Sequence, residues 1–142
     1  MDADMLIDHI CFAVKDISEA ILYWKKVFEY KQYTMPVINT RQKVKVVFLA
    51  KPGSLMIKLI EPLADNESLQ HFVELGGGFH HICFKCNDLD EKISDLKQKG
   101  VHLLVPPQPG EAFENNNIAF FWARNKLNFE LIDTDIKAQI IK

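Results

Sequence analysis

Between Leu6 and Val14 apolar and polar positions alternate with the period of an extended strand, with His9, Cys11 and Ala13 on one side and Ile10, Phe12 and Val14 on the other. Behind Asp16, a residue suited to capping, Ile17, Ala20, Ile21, Trp24, Val27 and Phe28 recur at helical spacing, with Glu19 in the first turn. This predicts a helix over about 17–27 that covers one face of a sheet. Three further strands are expected near 30–36, 44–50 and 55–61, the last two joined by the Lys51-Pro52-Gly53-Ser54 turn. The order is β-α-β-β-β.

The same order then returns. A connecting helix is expected over about 65–75, and Gly76-Gly77-Gly78 leads into a strand at 79–86, a helix at 89–99 ended by Gly100, and strands at 101–105, 117–123 and 127–133. The residues themselves repeat: His9-Ile10-Cys11-Phe12 reappears as His81-Ile82-Cys83-Phe84 at an offset of 72, which also pairs Val46-Val47-Phe48-Leu49 with Ile118-Ala119-Phe120-Phe121. One unit has therefore been duplicated. The first copy spans about 5–63, a linker 64–77 and the second copy about 78–136, within a single domain over 1–142. The segment 106–116, with Pro106, Pro107, Pro109, Gly110, Glu111 and Glu114, reads as a long loop, either a lid or binding loop or an irregular connection.

At 142 residues the chain can bury a sizeable core without disulfides or a structural metal. Its formal charge of −2, with Lys and Arg scattered, gives no footprint for nucleic acid or an anionic membrane. No basic start followed by an apolar run and no membrane-length apolar stretch is present, so a cytoplasmic location is expected. Cys11, Cys83 and Cys86 lie inside strand patterns and read as reduced core thiols.

Chemistry is expected where polar residues interrupt apolar strands. The repeat pairs His9 with His81 and Lys58 with Glu130, and a pseudo-twofold axis would bring all four toward one centre. Buried imidazoles and carboxylates need partners. His9, His81 and Glu130 form a ligand set suited to a divalent transition metal, with positions left open for water or substrate. His80 breaks the alternation and is expected on the opposite face, while His71 and His102 carry no signal.

These residues resemble the vicinal oxygen chelate superfamily, which includes glyoxalase I, fosfomycin and bleomycin resistance proteins, extradiol dioxygenases and methylmalonyl-CoA epimerase. The nearest resemblance is to the epimerase, carried by Asp8-His9-Ile10-Cys11-Phe12-Ala13-Val14-Lys15-Asp16, Ile60-Glu61-Pro62-Leu63, Gly78-Phe79-His80-His81-Ile82-Cys83-Phe84 and Phe129-Glu130-Leu131-Ile132. It implies an α+β, glyoxalase-like fold of two tandem βαβββ modules forming a cupped mixed sheet. It also implies one divalent metal ion (Co, Ni, Zn, Mn or Fe) on His9, His81 and Glu130. The family's fourth ligand, Gln or Glu, is replaced by Lys58.

An ammonium beside a dication is repelled by a few kcal/mol at an effective dielectric near 20. Three outcomes follow: Lys58 swings aside and leaves a two-His, one-carboxylate site; it stays neutral as a base; or it replaces the metal and pairs with Glu130. The catalytic Glu of some epimerases aligns near Lys45 or Val46, where no carboxylate stands. Glu61, Glu111 and Glu114 are the substitutes at hand, although alternation turns Glu61 away from the Lys58 face.

The leading expectation is an isomerase or lyase acting on a small carbonyl or an acyl-CoA or acyl-carrier thioester. Its enolate would be stabilised by the metal or by Lys58, with Glu130 and Lys58 as the catalytic pair. The alternatives are a metal-free binding module of resistance-protein type, its cup lined by Phe12, Phe48 and Trp122, and an Fe(II) ring-cleaving dioxygenase. A homodimer is expected.

Overall fold

The computed structural model describes residues 4–142. It contains strands β1 (Leu6–Ala13), β2 (Lys31–Gln32), β3 (Val37–Asn39), β4 (Val44–Ala50), β5 (Met56–Pro62), β6 (Gly78–Lys85), β7 (His102–Gly110), β8 (Asn116–Ala123) and β9 (Leu127–Ile132). Helices α1 (Ile17–Phe28), α2 (Glu67–Glu74) and α3 (Leu89–Gln98) and a 3-10 turn at Glu111–Phe113 complete it. All the strands belong to one nine-stranded sheet in the order β2-β4-β5-β1-β6-β9-β8-β7, with β3 also paired to β4. The sheet is curved and mixed: β1 runs parallel to β5, and β6 parallel to β9. The expected α+β cup is therefore found.

The duplication is visible in the register. At the centre β1 and β6 pair antiparallel, and Ile10 sits directly opposite Ile82, its own repeat mate. A pseudo-twofold axis passes between them. Two cross-strand rows flank it: Phe48, Lys58, Cys11 and His81, and, in mirrored order, Phe120, Glu130, Cys83 and His9. Each residue of one row is the mate of its counterpart in the other.

The helices repeat as well. Asp16 accepts the Glu19 N–H at 3.0 Å to cap α1, and its mate Asp88 accepts the Glu91 N–H at 2.9 Å to cap α3. Glu61 accepts the Ile17 N–H and its mate Asp133 the Leu89 N–H, so a carboxylate at the end of the last strand of each unit sits on a helix N-terminus. Glu61 is thus committed to α1 and turned away from the cup, as alternation predicts. Ile17 of α1 packs with Val47, Leu49, Ile57 and Leu59 of the sheet, and Leu89, Ile93 and Leu96 of α3 pack with Phe121, Phe129 and Leu131. The other face encloses a third cluster with Cys11, Val46, Phe48, Ile60, Cys83, Phe113 and Ile118, capped by Leu69 and Val73 of α2.

Gly77 explains the glycine run before β6. Its φ is +65°, and a Cβ there would stand 2.5 Å from the Ala13 carbonyl oxygen.

Two expectations are corrected. Within the expected strand near 30–36 only β2 pairs with β4, followed by an isolated bridge between Thr34 and Ile140, and β3, which also pairs with β4, lies beyond it. The expected loop 106–116 is mostly strand: β7 continues through Pro106, Pro107 and Pro109 to Gly110, paired to β8 with two register shifts. β7 is an edge strand, where prolines are tolerated, and the second register shift, between Val105 and Gln108, takes Pro106 and Pro107 out of the regular ladder. Past Asp133 the chain runs back as a strap, in which Ala138 N–H donates to the Ala112 carbonyl at 2.8 Å and Ile141 N–H to the Tyr33 carbonyl at 2.9 Å. No helix among the described residues is long and apolar enough to cross a membrane.

Candidate functional site

The two rows place four polar side chains at the centre of the cup. Lys58 Nζ donates to both oxygens of Glu130, at 3.2 and 3.3 Å. His9 Nε2 and His81 Nε2 lie 3.0 and 3.1 Å from Glu130 Oε1. All four are buried, His9 and Glu130 completely. Burial pushes the Glu130 carboxyl upward, but the Lys58 ammonium and the bonds from His81 and His9 outweigh it and hold it well below the usual range. For Lys58, burial favours the neutral amine, and the charge of Glu130 outweighs that, raising its pKa. Burial drives His81 down to about 3, so its imidazole is neutral at pH 7.

Behind each histidine stands its sequence neighbour. Asp8 Oδ2 lies 2.7 Å from His9 Nδ1, and His80 Nδ1 lies 2.7 Å from His81 Nδ1. Alternation would turn Asp8 and His80 outward. The β1–β6 register shifts once at Asp8 and once at His80, so each is the extra residue of a β-bulge and points to the same side as the histidine after it. The expectation that His80 faces away is corrected for this reason.

The cup's two halves differ. On the His9 side, the His9 ring packs against Phe113 and edge-on to Phe48, at centroid distances of 6.3 and 5.2 Å. The strap then inserts Lys137, only 5% exposed, whose Nζ lies 3.2 Å from Asp8 Oδ2 and 5.3 Å from the Phe48 centroid. This side is filled. On the His81 side a cavity of about 370 Å³ opens, with Lys58, His80, His81 and Phe120 among its lining and Asn39, Arg41, Gln42 and Asn128 around them. Its lining contains two cationic residues and, among the described residues, no carboxylate. Phe12 is not part of it, since it lies on the helical face 5.3 Å from Trp24, and Trp122 is 44% exposed and outside the lining. Phe48 faces the cup, as expected.

Cys11 and Cys83, one in each row, are fully buried, and burial raises the Cys11 thiol to about 12 and Cys83 well above its ordinary value. They are free thiols, as is Cys86.

His9, His81 and Glu130 bring one donor atom each within 4.8 Å of one another, a group able to hold a metal by position. The charge balance is another matter. Glu130 is already neutralised by an ammonium bonded to both its oxygens, and a dication on the same three donors would stand beside that ammonium. At about 4 Å and an effective dielectric of 20, two unit charges repel by roughly 4 kcal/mol, and a dication doubles this. With Lys58 protonated, the residues present do not fit a divalent ion.

Sequence reasoning found His9, His81, Lys58 and Glu130 and missed Asp8, His80 and Lys137. The first two carried a signal: they are repeat mates, each a hydrogen-bonding residue immediately before a site histidine. Lys137 lies beyond the repeated unit and had none.

The Bacillus subtilis uncharacterized protein YqjC is 34% identical over 119 residues, covering 83% of both chains. Human mitochondrial methylmalonyl-CoA epimerase is 28% identical over 100 residues, which are 69% of this chain and 56% of that one, so the chain spans little more than half of that relative. Among solved structures, methylmalonyl-CoA epimerase from Mycobacterium tuberculosis superposes with a TM-score of 0.79 at 27% identity, covering 94% of this chain and 92% of that one. The hypothetical protein BH1468 from Bacillus halodurans gives 0.80 at 28% identity, covering 94% and 97%. A family model matches residues 8–120. Fold, repeat and relatives agree, and the chain belongs to the Glyoxalase/Bleomycin resistance protein/Dioxygenase superfamily.

Proposed function

We propose that this chain is an epimerase-like enzyme that moves the proton on the carbon α to the carbonyl of an acyl thioester, with the Lys58 ammonium as its resident cation. The observation that carries this is a buried ammonium, fixed by both oxygens of Glu130, at the edge of a cavity of substrate size. The named epimerases among its relatives act on methylmalonyl-CoA, which supports the substrate class.

Removing an α-proton places negative charge on the thioester oxygen. A preorganised ammonium in a water-poor site stabilises that charge without reorganising. The proton needs an acceptor. His81, neutral, donates Nε2–H to Glu130 and accepts at Nδ1 from His80 Nδ1–H, which leaves the lone pair of His80 on Nε2. His80 lines the cavity, and burial followed by the Lys58 charge lowers its pKa, so it is unprotonated at pH 7 and serves as the base. In this scheme the C–H electron pair becomes the enolate and His80 holds the proton. Reprotonation by His80 restores the same centre, and delivery by a different acid inverts it. With Lys58 as that acid, the cycle closes when the proton held by His80 passes back to the Lys58 amine and restores its pair with Glu130.

The test is deuterium incorporation at the α-carbon of methylmalonyl-CoA and propionyl-CoA in D2O, read by mass spectrometry. Exchange that survives chelator and is lost in K58M and H80Q is expected. Absence of exchange with either thioester, or its abolition by chelator, would overturn the proposal.

A further inference from the structure

The β-bulge that turns His80 into the cup also gives it a second companion. The β1–β6 register sets Cys11 opposite His81 and then shifts between Cys11 and Phe12, so His80 is the residue passed over. Cys11, His80 and His81 therefore share one side of the sheet, and one donor atom of each lies within 4.8 Å of the others. The twofold generates the mate of this group, Cys83, Asp8 and His9, which meets the same distance. The two groups differ in charge and in access. Lys137 Nζ stands 3.2 Å from Asp8 Oδ2 and supplies the second group with its cation. The first has no carboxylate, and its His80 and His81 both line the open cavity.

A thiol and two imidazoles are a soft ligand set, suited to Cu(I) or Zn(II) and poor for oxygen-seeking ions. The neighbouring ammonium chooses between the two. Cys11 pairs with Lys58 across β1 and β5, so a dication here meets the same kind of repulsion as at the centre of the cup. A monovalent ion with one thiolate adds no net charge. His81 has its Nε2 on Glu130, which leaves Nδ1, and that atom already faces His80 Nδ1 at 2.7 Å. Two nitrogens bound to one metal at about 2.0–2.1 Å each stand roughly 3.3–3.6 Å apart, so the rings need part by less than about 1 Å. We propose that Cys11, His80 and His81 form a Cu(I) site in the wall of the cavity. On binding, the Cys11 thiol proton is released to solvent and the proton that bridges the two rings moves to His80 Nε2. Copper enters and stays as Cu(I), so nothing is oxidised or reduced. The site does not rest on the catalytic reading, since in copper-free protein His80 keeps its place as the base.

The test is anaerobic titration of the full chain with Cu(I) against the chromophoric chelator bicinchoninate, with ascorbate present. Wild type and C83S/C86S, which lacks the other two thiols, should each hold about one equivalent per chain and release about one proton per ion. X-ray absorption should show one sulfur and two nitrogens on the metal. C11S should weaken retention by about a hundredfold or more, and H80Q, which leaves the core thiol in place, by about tenfold or more. Loss of the copper to the chelator in wild type, retention unchanged in C11S or in H80Q, or a metal environment without sulfur overturns the proposal. So does copper held by wild type and lost in C83S/C86S, which assigns it to another thiol.

Discussion

Lys58 and Glu130, 72 residues apart, meet across the pseudo-twofold axis as one ammonium on two carboxylate oxygens, and neither is more than 3% exposed at its side chain. Breaking such a buried pair by removing one partner costs about 3–5 kcal/mol, because the other charge is left uncompensated, whereas replacing both with apolar groups is often neutral. K58M is therefore expected to lose about that amount in urea denaturation, and K58M/E130L to recover most of it. A K58M protein within about 1 kcal/mol of wild type would show that the charge of Glu130 is relieved by other means.

K58E replaces the cation with the mate of Glu130. The cup then holds His9, His81 and two carboxylates, a set suited to a divalent ion without a competing ammonium. The variant should take up about one equivalent of Co(II) or Zn(II) per chain in calorimetry, where the wild type takes up none. Stoichiometric binding by the wild type would show that the ammonium yields to the metal.

Acid should unfold this protein in two windows. The unfolded chain takes up a proton at His81 near pH 6.5, while the folded chain refuses it until about 3. Stability is therefore full above about 6.5 and declines as the pH falls, by about 1.4 kcal/mol per pH unit for this proton. Glu130 acts lower: its folded pKa is depressed, so its contribution is present above the unfolded value of 4.5 and is lost as the pH falls through the folded value. Denaturation midpoints between about pH 7 and 5 should show the first slope, and H81Q should flatten it.

At Gly77 the backbone itself is the test. An alanine there must hold φ at +65° and put its Cβ against the Ala13 carbonyl. G77A is expected to destabilise by more than the roughly 1 kcal/mol of a positive φ alone, whereas G53A, at φ +79° with no atom within 4 Å, should show only the conformational part. Melting temperatures of the two variants decide this.

The centre of the fold was legible in the sequence because it is duplicated. A constant offset pairs residues that the twofold must bring together, and the meeting of Lys58 with Glu130 follows from that alone. What stayed hidden broke local periodicity or lay outside the repeat. Reading His80 as outward-facing assumes an unbroken pleat, and one inserted residue reverses the face. Prolines at 106, 107 and 109 read as loop because the propensity argument cannot tell an edge strand from an interior one. The strap and Lys137 have no mate from which to be inferred, and the single 30–36 strand hid a bridge at Thr34.

The opposed charges at the duplicated position also bear on how the two units choose each other. Had they stayed identical there, a second copy of either would serve as well as its neighbour: two lysines or two glutamates face to face, equally poor in every arrangement. With lysine in one and glutamate in the other, like meeting like leaves two equal charges in a dry centre, and only the unlike match is neutral. One substitution thus turns an interchangeable pair into complementary, non-self-pairing partners, which favours closing the cup between first and second units over exchange of either unit with its own kind.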